Sequence, residues 1–331
     1  MKEPVRVAVI GAGSFGCNHA RVLSRMPEVE LAAIVDVDWG KAERLAGQFG
    51  SKAYSKLEDM PPVDAAIVAT PTVTHEAVAD TLLLSGLDVL VEKPIADSAA
   101  AGERLTRLAE TQGRILQVGH LERFNPAVEK LATECTVPLF WEVHRLSVFT
   151  PRSLDVDVVL DLMIHDIDIV LSLTRELPTE IRGAGISVLS QQVDIANVRL
   201  EFASGCVANL TASRVSTEQV RKLRLFQPGE YLSVDYRRQD LGRLRILPNE
   251  LNSPNELSRI NKIAFEQLPV VANEPLQLEL SSFFQSVRER TPPLVDGRGA
   301  TEALRVAEDI RRRIAEHAQV VSATIRRHGG G

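Results

Sequence analysis

Gly11-Ala12-Gly13-Ser14-Phe15-Gly16 follows the apolar run Val5–Ile10 without a spacer and opens a helical pattern through His19, Val22 and Leu23. In a strand–turn–helix of this kind, the first glycine permits the tight turn and the second lets backbone N–H groups approach a pyrophosphate at the helix N-terminus. The third allows close packing of helix on strand. The next apolar run ends in Val35-Asp36, about 20 residues beyond Gly16, which is the spacing at which a carboxylate meets an adenosine ribose. A carboxylate there accepts from both ribose hydroxyls and repels a 2′-phosphate. Gly11, Gly13, Ser14, Phe15, Gly16 and Asp36 are therefore expected to bind a dinucleotide, NAD in preference to NADP.

The rest of the chain is read around this loop. Through residue 120 the short apolar runs Val5–Ile10, Leu31–Asp36, Ala65–Ala69, Val89–Val91 and Ile115–Val118 alternate with longer helical stretches. Such alternation means a parallel sheet, and runs without polar alternation are strands covered on both faces. Residues 1–123 are thus expected to form a doubly wound α/β domain. After Asn125-Pro126 the pattern changes. Val198, Leu200 and Phe202 alternate with polar residues, a Ser204-Gly205 turn follows, and Cys206–Ser213 alternates again. Two such segments make a hairpin of an antiparallel sheet with one buried face. Further strands are expected at Phe140–Leu146, Ile181–Leu189, Leu223–Phe226, Tyr231–Tyr236 and Leu244–Leu247, with helices near 157–173, 276–289 and 299–317. Residues 124–331 therefore read as an α+β domain.

Composition narrows the partners. Lys and Arg number 38 against 44 Asp and Glu, a net charge of −6, so no positive field draws in nucleic acid or anionic lipid. Cys17, Cys135 and Cys206 are odd in number and form no close pair, which suits a reducing cytoplasm better than a disulfide framework or a zinc site. No apolar run approaches the ~20 residues of a membrane helix. A cytoplasmic protein without membrane or nucleic-acid partners is expected.

Candidate chemistry collects at strand ends. Thr70 and Pro71 end the run Ala65–Ala69, at the edge where open α/β sheets bind ligands. His75 follows them, either as a helix-start side chain bonding a backbone carbonyl or as a cofactor contact. Glu92-Lys93-Pro94 ends the next run. An ammonium beside a bound nicotinamide can hydrogen-bond a substrate hydroxyl and steady developing alkoxide charge. In the second domain, Asp157, Asp161, His165, Asp168 and Ser172 share one arc of an ideal helix at ~100° per residue, the other positions being mostly apolar. Such a helix is expected to be buried with its stripe facing a polar cavity. Asp161 and His165 are i, i+4 neighbours, so the carboxylate can orient the imidazole as a general base, with Asp168 as an alternative partner. Nothing supplies a tetrahedral metal set, and hydride transfer requires none.

Taken together, Gly11–Gly16 with His19-Ala20, Glu92-Lys93-Pro94, Asp161 with His165, and Pro275-Leu276 leading to Glu279 and Phe283 resemble the Gfo/Idh/MocA family of sugar and cyclitol dehydrogenases over essentially the whole chain. The resemblance implies a Rossmann domain followed by a domain on a large open-faced sheet, NAD(P)-dependent oxidation of a ring carbinol, and Lys93, Asp161 and His165 as catalytic residues. Val158, Val159 and Met163 stand where the family often has small residues, and are expected to narrow the substrate pocket. Gly119-His120-Leu121-Glu122-Arg123-Phe124-Asn125-Pro126 is most similar to the branch containing UDP-N-acetylglucosamine 3-dehydrogenases. That branch implies a 3-keto sugar product, a partner aminotransferase and a route toward amide-linked lipid A. Arg123, Asn125 and Arg152 are candidates to hold a diphosphate or acyl-amino sugar, together with Lys93, Asp161 and His165. A free-sugar or inositol dehydrogenase and a non-catalytic NAD-binding regulator are the competing readings. One face of the second sheet needs cover, so a homodimer or homotetramer is expected.

Overall fold

The computed structural model describes residues 3–150, 156–247 and 262–328. The chain divides into two compact units, Met1–Phe124 with Glu274–Arg305, and Asn125–Asn273 with Val306–Gly331.

In the first unit, β1 (Val5–Ile10), α1 (Ser14–Leu23), β2 (Val29–Val35), α2 (Trp39–Phe49), β3 (Lys52–Tyr54), β4 (Ala65–Val68), α3 (His75–Leu84), β5 (Asp88–Glu92), α4 (Ala99–Gln112) and β6 (Leu116–Gly119) follow one another. The strands form one parallel sheet in the order β3-β2-β1-β4-β5-β6. Chain direction across the sheet reverses at β1, since β2 lies on one side of it and β4 on the other. Right-handed crossovers on opposite sides of such a point put their helices on opposite faces. Val7, Val9, Ile67 and Leu90 then bury one face against Val22 and Leu23 of α1. The three-residue β3 is too short to be read as a strand in the sequence.

In the second unit, α5 (Pro126–Glu134), β7 (Phe140–Val148), α6 (Ile164–Thr174), β8 (Pro178–Ile186), β9 (Ile195–Phe202), β10 (Val207–Ser216), β11 (Val220–Gln227), β12 (Glu230–Asp235), β13 (Asp240–Leu247) and β14 (Lys262–Leu268) build an eight-stranded sheet with flanking helices. Its order is β14-β13-β12-β11-β7-β10-β9-β8. All pairs are antiparallel except β7 with β10. The expected hairpin is β9–β10, closed at Gly205 with φ +85°. Alternate residues of β7, Trp141, Val143 and Arg145, point to the covered face and are buried.

The chain then returns to the first unit through α7 (Pro275–Glu289) and the start of α8 (Gly297–His328). The second domain is thus not one continuous segment from 124 to 331. Leu280, Phe283 and Phe284 of α7 join the cluster of Val7, Val9, Ile67 and Leu90. Removing one such phenylalanine from a core costs about 3–5 kcal/mol, which fixes that return.

Candidate active site

The loops after β2, β1, β4 and β5 stand side by side at the carboxyl edge of the parallel sheet, because those strands are successive neighbours. Gly11 takes φ +103°, and a Cβ there would lie 2.5 Å from the Ala69 carbonyl oxygen. A Cβ on Gly16 would fall 1.8 Å from the Gly11 carbonyl oxygen, so only glycine lets α1 pack this close. Around Gly13 nothing lies within 4 Å of such an atom. Gly13 begins α1 with no side chain capping its first N–H groups and no acid in its first turn, which leaves room and donors for an anion. Ser14 and Phe15 are exposed beside it.

Asp36 faces this loop. Its Oδ2 accepts from the Ala12 N–H at 2.7 Å and its Oδ1 from the Asp38 N–H at 2.9 Å. A carboxylate has about four acceptor positions, so each oxygen keeps capacity for a further donor. Free helix N–H groups, an open cradle and a half-buried carboxylate tied to it fit the pyrophosphate and ribose of NAD.

Thr70 is half-buried and Pro71 exposed. His75 is buried, with Nδ1 2.9 Å from the Pro94 carbonyl oxygen and Nε2 2.9 Å from that of Thr70. Of its two readings, the geometry takes the carbonyl one. The ring is a strut between the two loops. Glu92 Oε1 lies 2.7 Å from His19 Nε2, and a Cβ on Gly119 would come within 3.0 Å of Glu92 Oε2. Gly119 therefore makes space for this carboxylate. Half-buried Lys93 stands between these anchors, and its bond to Pro94 is cis. His19 carried only a family likeness in the sequence. Its signal was its place in the buried phase of α1, with Ala20 and Leu23.

Arg123 is half-buried on a short turn, Leu121–Phe124, after β6. Asn125 is a correction. It is buried and caps α5, its Oδ1 accepting from the Ala127 N–H at 3.1 Å and its Nδ2 donating to the Tyr236 carbonyl at 2.9 Å. An amide so engaged is scaffold, with Pro126 behind it in the first helical position. Arg152 lies outside the described residues.

The acidic stripe of the second unit is also corrected. Val159–Met163 forms a π turn ahead of α6, and its i→i+5 bonding breaks the phase of an ideal helix. Asp157 precedes that turn and is buried. Its Oδ1 accepts from the N–H groups of Val159 and Leu160, and its Oδ2 lies 2.6 Å from Arg311 Nε. Asp168 is buried too. Asp161, on the turn, and His165, at the start of α6, are half-buried. Val158, Val159 and Met163 are fully buried, and their bulk goes into the core.

What pins this helix was not legible in the sequence. Asp166, next to His165, receives Arg145 Nε at 2.8 Å and Nη2 at 2.7 Å, with the Tyr236 hydroxyl donating at 3.2 Å. The Arg145 guanidinium also stacks 4.9 Å from the Tyr236 ring centroid.

A doubly wound sheet with an open glycine cradle and a strand-end carboxylate defines a dinucleotide-binding protein, here carrying a second unit built on a large mixed sheet. Residues 5–120 match the model described as the oxidoreductase family with an NAD-binding Rossmann fold, and residues 132–226 match the Gfo/Idh/MocA C-terminal domain. The chain belongs to the Gfo/Idh/MocA family of oxidoreductases, and its cofactor is NAD. It is similar to UDP-N-acetylglucosamine 3-dehydrogenase of Acidithiobacillus ferrooxidans, with 31% identity over 93% of this chain and 96% of that one. The solved structure of that enzyme aligns with a TM-score of 0.89 at 30% identity, covering 96% of this chain and 100% of the other. The scyllo-inositol 2-dehydrogenase (NAD(+)) of Bacillus subtilis is 30% identical over 65% of this chain and 69% of its own.

Proposed function

We propose that the protein oxidises the C3 hydroxyl of a UDP-linked sugar, UDP-N-acetylglucosamine, to the 3-keto sugar. The observation that supports this substrate is the extent of likeness. Similarity to the UDP-N-acetylglucosamine enzyme runs over 93% of the chain, whereas similarity to the inositol enzyme covers 65%.

NAD, held by Gly11, Gly13, Ser14, Phe15, Gly16, Asp36, Thr70 and Pro71, supplies the hydride acceptor. The hydroxyl proton must leave as the carbon–hydrogen bond breaks, and His165 takes it. Asp161, four residues before it in the chain, holds the other ring nitrogen and fixes the tautomer. Lys93 keeps its proton and donates to the oxygen as negative charge develops there. Arg123 contacts the diphosphate, for which a planar guanidinium offers two parallel donors. The 3-keto product is what a partner aminotransferase needs to install an amine, on a route toward amide-linked lipid A. The enzyme works in the cytoplasm as a homodimer or homotetramer.

Incubating the protein with NAD and a panel of UDP-sugars, free sugars and inositols, while following the absorbance of reduced cofactor, tests this reading. Turnover is expected with UDP-N-acetylglucosamine. Turnover confined to inositols or free sugars would move the assignment to a cyclitol or free-sugar dehydrogenase, and NAD binding with no turnover on any of them to a regulator.

A further inference from the structure

Arg214, near the end of β10, is a buried charge that the chemistry above does not use. From Ser213 to Ser216 the strand takes three residue steps where β7 takes two, from Leu146 to Val148. Such a bulge re-aims side chains. The guanidinium meets two separate segments there. Its Nη2 donates to the Val156 carbonyl, and its Nε lies 3.5 Å from Asp194 Oδ1. The Arg214 backbone N–H donates to the Asp194 carbonyl at 2.9 Å. Asp194 is fixed in turn, its Oδ2 accepting from the N–H groups of Val188, Leu189 and Ser190 at 2.7, 2.6 and 2.9 Å. Its Oδ1 accepts from the Ser190 hydroxyl at 2.6 Å.

Val156 leads directly into the π turn. The next residue, Asp157, accepts from the Val159 and Leu160 N–H groups, and its carbonyl accepts from the Asp161 N–H at 3.0 Å. On the far side of Asp157, the Val158 N–H donates to the carbonyl of Val193, the neighbour of Asp194, at 3.1 Å. The entry to the turn is thus bonded before and after Asp157 to one rigid loop, and Arg214 closes the first of those links. Stability alone does not call for an arginine here, because an apolar pair of similar volume often replaces a buried ion pair at no loss. An apolar pair cannot donate to a carbonyl, and so cannot fix where the backbone enters the turn. We propose that Arg214 is a positioning residue for the oxidation: anchored by Asp194, it holds the Val156 carbonyl and so places the turn that carries Asp161 and leads into His165. This rests on the reading that Asp161 and His165 serve the substrate hydroxyl.

A double-mutant cycle tests it. Arg214→Met keeps an unbranched apolar stem and removes the donors. Its kcat on UDP-N-acetylglucosamine should fall about tenfold to a hundredfold, as expected for a catalytic group slightly displaced. The dissociation constant for NAD should not change, because the glycine cradle belongs to the first unit and Arg214 to the second. The same substitution is then made in a His165→Ala background. With the positioned imidazole gone, adding Arg214→Met should lower the residual kcat by less than about threefold, since residues that act as a unit are not additive. A substitution that merely loosened the fold would lower both backgrounds by the same factor. Asp194→Asn, which keeps a carbonyl oxygen for the loop but removes the anchoring charge, stands in if Arg214→Met does not fold, with the same dependence on His165 expected. A parental kcat in the variant, or equal losses with and without His165, would overturn the proposal. A parent without turnover, or undiminished turnover in His165→Ala alone, would overturn instead the reading on which it rests.

Discussion

The division of labour between His165 and Lys93 is decided by single side chains. A free imidazole titrates near ~6.5 and an ammonium near ~10.4, so near neutrality the histidine is the better proton acceptor. His165→Ala is expected to lower turnover by ~10²–10⁴-fold with NAD affinity nearly unchanged, and the loss should shrink as pH rises and hydroxide takes over the proton. Lys93→Ala should lower turnover without that rescue. A pH–rate series on both variants checks the assignment, and rescue of the lysine variant alone would reverse the roles. Asp36 sets the cofactor choice from another strand end, where its oxygens already hold the Ala12 and Asp38 N–H groups. The parent should bind NAD more tightly than NADP, and Asp36→Ala should narrow the gap. Equal dissociation constants in the parent would contradict it.

At the scale of elements, the π turn and α6 are useful only if held still. Arg145 and Asp166 do part of this, both buried and joined by two hydrogen bonds. Arg145→Met leaves a buried carboxylate without its cation and should cost about 3–5 kcal/mol in urea unfolding. Adding Asp166→Leu should restore much of that loss, because an apolar pair of similar volume can replace a buried ion pair. The approach to the turn is held by the loop before β9. Val193 accepts from the Val158 N–H, and Arg214, 3.5 Å from Asp194, donates to the Val156 carbonyl. Burial raises the Asp194 carboxyl, but the Ser190 hydroxyl and the N–H groups of Val188, Leu189 and Ser190 outweigh it and pull the value from 3.8 to about 2. A depressed value in the folded state stabilises above the unfolded value, and that contribution is lost as pH falls. Asp194 therefore adds about 2 kcal/mol at neutral pH that disappears between about pH 4 and pH 2. Unfolding curves of Asp194→Asn should show lower stability at neutral pH and a flatter decline across that window.

For the whole molecule, the second sheet raises the question of assembly. Phe140, Phe226, Tyr231, Leu244 and Phe265 pair across five neighbouring strands in one row, and Phe265 is 70% exposed. A contiguous apolar row of that length marks an interaction surface. Sedimentation at micromolar concentration should give a dimer or tetramer, and Phe265→Glu should shift it toward the 36.4 kDa monomer. A monomeric parent would contradict the expected assembly. The sequence by itself determined whatever depends on local backbone and side-chain requirements: the alternation that gives the parallel sheet, the glycines of the first turn, the spacing to Asp36 and the β9–β10 hairpin. The tertiary structure decided the rest. It alone turned Asn125 into a cap, His75 into a strut and Asp157 into a partner of Arg311, bent the helix phase at Val159–Met163, and returned α7 to the first unit. Each of these is a contact between residues far apart in the chain or a departure from ideal geometry. Periodicity records which face of an element is buried, but not which distant group will meet it there.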